Sequence, residues 1–154
     1  MLRGSINDQE RTGISAMKKD DCIFCRIANG EIPSNTVYED EYFRAILDLS
    51  PAAKGHTLIL PKDHFDDLFD ADEAVLERLL KTAQKIGAGM KRYLNCDGIN
   101  VVQNNGAAAG QTVRHLHVHL IPRYEGDGQM VTWKQNASDP EEQKKIAAGI
   151  ADAL

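Results

Sequence analysis

Residues 110–123 read GQTVRHLHVHLIPR and hold three of the chain's five histidines within five positions. Successive side chains on a β-strand point to opposite faces. His115, His117 and His119 therefore share one face, and Leu116, Val118 and Leu120 share the other. The apolar face predicts packing on a core, and the opposite face predicts a row of imidazoles. A plain solvent-facing strand would be served as well by Ser, Thr or Lys. Two chemical readings are stronger. Imidazoles at i and i+2 can converge on one metal ion, or one imidazole can act as a nucleophile while its neighbours bind departing charge.

The strand's neighbours set the fold class. Upstream lie GINVVQ (98–103), which reads as a strand, and NNGAAAG (104–110), a glycine-bearing loop. Before them, Val75, Leu76, Leu79, Leu80, Ala83, Ile86, Met90 and Leu94 recur at helical period, with Asp70 and Glu73 placed as a capping box. GHTLILPK (55–62) predicts a third strand, and NTVYE (35–39) with YFRAILDL (42–49) predicts a hairpin. Residues 22–29 predict a short helix stopped by Gly30. At the C-terminal end Ser138 or Asp139 stands as a cap with Pro140 in the first turn, so residues to Leu154 predict a helix. Strands joined by short turns, one long helix and a C-terminal helix imply an α+β fold on an antiparallel five-stranded sheet. The expected organisation is a disordered tail over residues 1–19 and a single domain over 20–154.

Charge and composition narrow the function. A net charge of −5 on 154 residues argues against a nucleic-acid backbone binder. It leaves small anions open, because a loop can be electropositive on an acidic protein. No apolar run approaches the roughly 20 residues of a membrane helix. The first residues lack the apolar segment of a secretory signal. The expectation is a cytoplasmic protein that engages neither membrane nor nucleic acid. Of three cysteines, Cys22 and Cys25 form a Cys-x-x-Cys pair, which in a reducing compartment is a metal half-site or a redox dithiol. Cys96, alone after the long helix, reads as a packing residue. A structural zinc would take Cys22, Cys25 and two histidines, leaving three for chemistry; spacing alone does not choose the two.

HLHVHLI, read with CIFCRIANGEIP, ILDLSPAAKGHTLILPKDH and NNGAAAGQTVRHLHVHLIPR, resembles the histidine-triad (HIT) superfamily of nucleotide hydrolases and transferases. The four blocks occur in the same order over about residues 20–125, and within the superfamily they are most similar to the Hint branch. The resemblance implies that His117 is the nucleophile toward the α-phosphate of a bound purine nucleotide, through a nucleotidyl-histidine intermediate. His119 and His56 would flank the phosphate. Gly106 and Gly110 would turn backbone N–H groups toward it, and Asn104, Gln111 and Thr112 would add side-chain donors. Asp48 would accept from both ribose hydroxyls, and Ile23, Phe24, Ile27, Ile32 and Leu49 would wall the base. Zinc-bearing relatives imply Cys22, Cys25, His64 and His115 as the ligands of a structural Zn2+. The resemblance also implies a homodimer.

The substrate class implied is nucleotidyl phosphoramidates or related nucleoside phosphate derivatives. A dinucleoside polyphosphate hydrolase and a nucleotide-binding regulatory module with vestigial activity are the alternatives. A metallohydrolase with all three triad histidines on one zinc is the reading that ignores the resemblance. The transferase branch resembles HPHPQ and is disfavoured by His119.

Overall fold

The computed structural model describes residues 17–131 and 134–154. Most of the expected tail, and Trp133, lie outside the described residues. Residues 17–19 are inside them and are tied down. The backbone N–H of Met17 donates to Asp63 Oδ1 at 2.7 Å, its carbonyl accepts from the His64 N–H, and the Lys18 ammonium meets Glu31.

The elements run α1 (Ile23–Ala28), β1 (Thr36–Glu39), β2 (Phe43–Leu47), β3 (Thr57–Pro61), α2 (Glu73–Leu94), β4 (Gly98–Val102), β5 (Val118–Arg123) and α3 (Pro140–Asp152). The α+β architecture follows the sequence reading: one five-stranded sheet, ordered β1-β2-β3-β5-β4, with every pairing antiparallel. Because β5 pairs antiparallel with both β3 and β4, those two strands run parallel and need a crossover. The crossover is α2.

Alternation along the strands builds two layers. Phe43, Ala45, Ile59, Val118 and Leu120 face α2, where Val75, Leu79, Ala83, Ile86 and Met90 meet them, and Leu116 just before β5 joins the same cluster. On the opposite face Ile46, Leu58 and Leu60 pack on Ala28 of α1, with Phe24 and Ile27 at the edge. His119 pairs with Leu58 on β3 and Val102 on β4, so it sits on the α1 side of the sheet. Cys96 is buried, as a packing residue would be.

Three local readings are corrected. Asp70 does not cap α2: its carboxylate accepts the N–H groups of Asp66 and Asp67 in the preceding turn, and Asp72 is the N-cap residue. Leu80 leaves the core stripe, since helical rotation carries it away from the sheet and it is 69% exposed. The regular part of the fifth strand begins only at Val118, because Leu116 N–H bonds across to the Phe65 carbonyl at 2.7 Å instead of continuing a ladder. At the C-terminus Asp139 accepts from the Glu142 N–H at 2.9 Å, so of the two residues offered as the α3 cap it is Asp139 that acts.

Candidate active site

The histidines separate into two groups, and hydrogen bonds set the tautomer of each ring. His117 Nδ1 lies 2.6 Å from the backbone carbonyl of His115. A carbonyl only accepts, so Nδ1 carries the proton and Nε2 keeps a free lone pair. At His56 the order reverses. The Ala52 N–H donates to Nδ1 at 3.0 Å, so Nε2 bears the proton and donates to His119 Nδ1 at 2.9 Å. That leaves His119 with its own proton on Nε2. One lone pair therefore stands beside one N–H donor, with the His117 and His119 ring centroids 5.0 Å apart.

Burial keeps this group neutral. Desolvation pushes the pKa of His119 down to about 4, helped by the neighbouring His117 and His56 rings. Burial also lowers His117 and His56 from the ordinary imidazole value. The Asp48 carboxylate stands 3.7 Å from His56 Nε2; its other oxygen accepts the Ser50 N–H at 2.8 Å. Phe24 presents an edge contact to His117 at 5.1 Å between centroids.

The second group is Cys22, Cys25, His64 and His115, whose donor atoms all lie within 4.8 Å of one another. The His115 Nε2–H donates to the Pro61 carbonyl at 2.9 Å and the His64 Nε2–H to Asp66 Oδ1 at 2.9 Å. Both rings therefore turn an unprotonated Nδ1 toward the sulfurs, at 3.2–3.5 Å. Backbone N–H groups of Lys19 and Cys25 point at the two sulfurs. Two sulfurs, two lone-pair nitrogens and outer partners that fix both rings form a donor set capable of holding a metal ion. Burial pushes the Cys25 thiol up to about 11; a bound cation supplies the charge that lets it ionise.

Asp48, His56 and His119 also cluster tightly enough to suggest a metal. The tautomers argue otherwise: with Nδ1 occupied by the Ala52 N–H, neutral His56 has no lone pair at Nε2. The three triad histidines do not converge on one ion either. His115 Nδ1 faces sulfur, His117 Nδ1 faces a carbonyl and His119 Nδ1 faces His56.

The loop at 104–112 departs from expectation. The Gln111 side chain is no anion donor: its amide nitrogen donates to the Asp66 and Val113 carbonyls, and its oxygen accepts the Gly106 N–H. The N–H groups of Ala109, Gly110 and Gln111 bond to carbonyls of the same loop, so the expected backbone cradle at Gly106 and Gly110 is closed on itself. Both glycines have φ near +90°, which this turn requires. Asn104 Nδ2 lies over Gly110, 3.6 Å from where a Cβ would stand. Thr112 is exposed and shares a depression of about 410 Å³ with Ile23 and Arg114, beside His64. Ile23 thus opens toward the Cys/His cluster and away from a common wall. Ile27 and Ile32 are half-buried, and Leu49 is 89% exposed.

The HIT-domain family profile matches residues 29–126. The chain belongs to the HIT family. HIT proteins are nucleotidyl hydrolases and transferases that act through the histidine triad. The adenosine 5′-monophosphoramidase of Saccharomyces cerevisiae is 43% identical over 119 residues, which is 77% of this chain and 73% of the yeast protein. A solved Streptococcus mutans structure superposes with TM-score 0.85 and 37% identity over 99% of this HIT protein and 98% of its own chain. A zinc-bound histidine-triad protein of Mycobacterium smegmatis superposes with TM-score 0.68 and 36% identity over 86% of this chain and 95% of its own. Sequence reasoning missed the outer partners of this HIT site: the Pro61 carbonyl, the Ala52 N–H and Asp66. Only the short spacing of Asp66 from His64 hinted at one of them.

Proposed function

We propose that the chain is a Hint-like phosphoramidase that attacks the α-phosphate of purine nucleoside phosphoramidates through His117. The observation that carries the reading is the 2.6 Å contact from His117 Nδ1 to the His115 carbonyl. It aims the free Nε2 lone pair at substrate and disperses the positive charge that forms on the ring. Nε2 forms a bond to phosphorus as the P–N bond to the amine breaks, and the amine takes up a proton from water. A second water then attacks phosphorus, breaks the Nε2–P bond and releases the nucleoside monophosphate. The His119 Nε2–H, aligned by His56, donates to the phosphoryl oxygens as charge builds there. Thr112 and Asn104 face the leaving group, and Asp48 accepts from the ribose hydroxyls. Phe24, Ile27, Ile32 and Leu49 wall the purine. The named activity of the yeast relative supports this substrate class.

The same reading makes Cys22, Cys25, His64 and His115 the ligands of a structural Zn2+, supported by the zinc-bound relative. When bound, zinc would brace α1 against β3 and the residues before β5; no catalytic step passes through it. The protein acts in the cytoplasm as a homodimer, joined where the exposed Leu80 and Val101 flank the edge strand β4. Among the described residues no helix is long and apolar enough to cross a membrane.

The test is chemical trapping. With an adenosine phosphoramidate labelled at phosphorus, rapid acid-free quench should leave label on His117 of the wild type. His117→Ala should bind nucleotide, take up no label and lose turnover by at least about 10³-fold. Near-normal turnover by that variant would remove His117 as the nucleophile.

A further inference from the structure

The turn that follows β5 is a closed clasp. Arg123, the last residue of the strand, grips the Asp127 carboxylate with two parallel bonds, from Nε at 2.8 Å and from a terminal nitrogen at 2.9 Å. The same carboxylate accepts the N–H groups of Tyr124 at 3.0 Å and Gln129 at 2.9 Å. Arg123 also donates to the Gln129 carbonyl at 2.6 Å, and its other terminal nitrogen donates to Asn100 Oδ1 on β4 at 2.7 Å. These partners, Arg123 first, hold the Asp127 carboxyl well below the usual range, so the clasp stays charged. Gln129 is exposed, yet its backbone is fixed at both its N–H and its carbonyl.

What the clasp holds lies 77 residues upstream, where the Gln129 side-chain amide donates to the Ala52 carbonyl at 2.5 Å. Ala52 is the residue whose N–H donates to His56 Nδ1 at 3.0 Å, and the His56 Nε2–H goes on to His119 Nδ1 at 2.9 Å. The series of bonds therefore starts at Arg123 and returns to His119 on the same strand. Its consequence is the place of a proton. Without the Ala52 N–H, the His56 proton can sit on Nδ1, which turns a lone pair at Nε2 toward His119. His119 must then carry its own proton on Nδ1 to keep that bond, and its Nε2 no longer donates.

We propose that Gln129 is a positioning residue for attack on phosphorus: through the backbone of Ala52 it holds His56 in the Nε2–H tautomer, and His56 in turn keeps the His119 Nε2–H available to the phosphoryl oxygens. The inference rests on the proposed function, which gives His119 that task. Asp48 is held separately, since its N–H donates to the His56 carbonyl at 2.9 Å and its carboxylate accepts from the Ser50 N–H at 2.8 Å. Loss of the Gln129 bond therefore acts on the step in which charge builds at phosphorus and spares the binding of the nucleoside.

The test compares the intact chain with Gln129→Glu and Gln129→Leu. The first keeps the length of the side chain but sets a carboxylate, which only accepts, against the Ala52 carbonyl; the second has no donor at all. Both change one exposed side chain, so the fold is retained. Histidine-ring nitrogen NMR at neutral pH, without substrate, reads the tautomers directly. Expected is a wild type with His56 and His119 in the Nε2–H form, and in both variants a shift of these two rings toward mixed tautomers while His117 keeps its Nδ1–H. With an adenosine phosphoramidate, kcat should fall at least about fivefold, the worth of one hydrogen bond, with KM within about twofold of the wild type. Unchanged ring signals would overturn the proposal, and so would a rise in KM with kcat intact. A wild type that cleaves no phosphoramidate would remove the reaction proposed above and with it the task of Gln129, even if the rings respond as expected.

Discussion

Asp66 shows how much a residue's role depends on its partners. It takes the His64 Nε2–H at 2.9 Å, the Arg114 guanidinium at 2.8 Å and the Lys19 ammonium at 3.2 Å. Those bonds, His64 first, hold its carboxyl well below the usual range. The carboxylate therefore stays charged and keeps the His64 proton on Nε2, with Nδ1 open toward the cysteines. Asn at this position can still accept from His64 but loses the charge that aligns it. Asp66→Asn should lower zinc affinity by about 10- to 100-fold, read by competition with a chromophoric chelator while circular dichroism shows the fold retained. Equal affinity in both proteins would show that Asp66 serves only its surface ion pairs. Its short spacing from His64 was the one hint in the sequence, and a weak one, because Asp63 and Asp67 sit in the same polar turn. The approach of Cys22 to Cys25 was easier to foresee, since a Cys-x-x-Cys pair at the start of a short helix brings two sulfurs together locally.

At the level of elements, periodicity was a good guide to α2 and the sheet faces and a poor one to their ends. The apolar spacing of α2 placed Val75, Leu79, Ala83, Ile86 and Met90 correctly on the core. Its cap was misread because Asp70 and Asp72 both stand upstream of Glu73, and the turn before the helix uses Asp70. The connection into β3 has a sharper constraint. Gly55 adopts φ +93°, and a Cβ there would stand 2.6 Å from Leu94 Cδ1 at the end of α2. Gly55→Ala should therefore destabilise the protein by about 1–3 kcal/mol, since strain and contact act together. Gly89→Ala, in a helix and with open space at its Cβ, should stabilise by about 0.5–1 kcal/mol. Urea unfolding of the two variants side by side checks the contrast; equal midpoints would mean that the Leu94 contact relaxes at no cost.

Over the whole molecule, burying neutral imidazoles links stability to pH. An unfolded histidine binds its proton near pH 6.5, whereas half-buried His119 binds it only near 4; His56 and His117 shift in the same direction. Between these values the unfolded chain holds more protons than the folded one, so stability falls as pH falls. The contribution is fully present above pH 6.5 and is lost on the way down toward 4. Calorimetric melting temperatures should drop steadily over that window, and His119→Gln should flatten the slope. A wild-type profile level from pH 7 to 5 would contradict neutral burial of these rings. When it holds a metal ion, the Cys22, Cys25, His64 and His115 cluster adds to the same trend, because protons compete with metal for its donors.

The sequence by itself determined what is local. Strand alternation put Leu116, Val118 and Leu120 on the core and the histidines opposite, and the φ values near +90° at Gly106 and Gly110 agree with the turn read there. The composition of the loop did not reveal that Gln111 closes it, because that bond depends on the Asp66 carbonyl 45 residues away. Likewise, only the tertiary structure divided the three histidines between tasks. Their side chains are identical, and the proton on each ring is placed by the one acceptor or donor within reach: the Pro61 carbonyl for His115, the His115 carbonyl for His117 and the Ala52-tied His56 for His119. Two of those three partners come from the segment 52–61, which pairing of β3 with β5 brings alongside. A histidine's chemistry is set by its neighbours in space, and strand pairing supplied them.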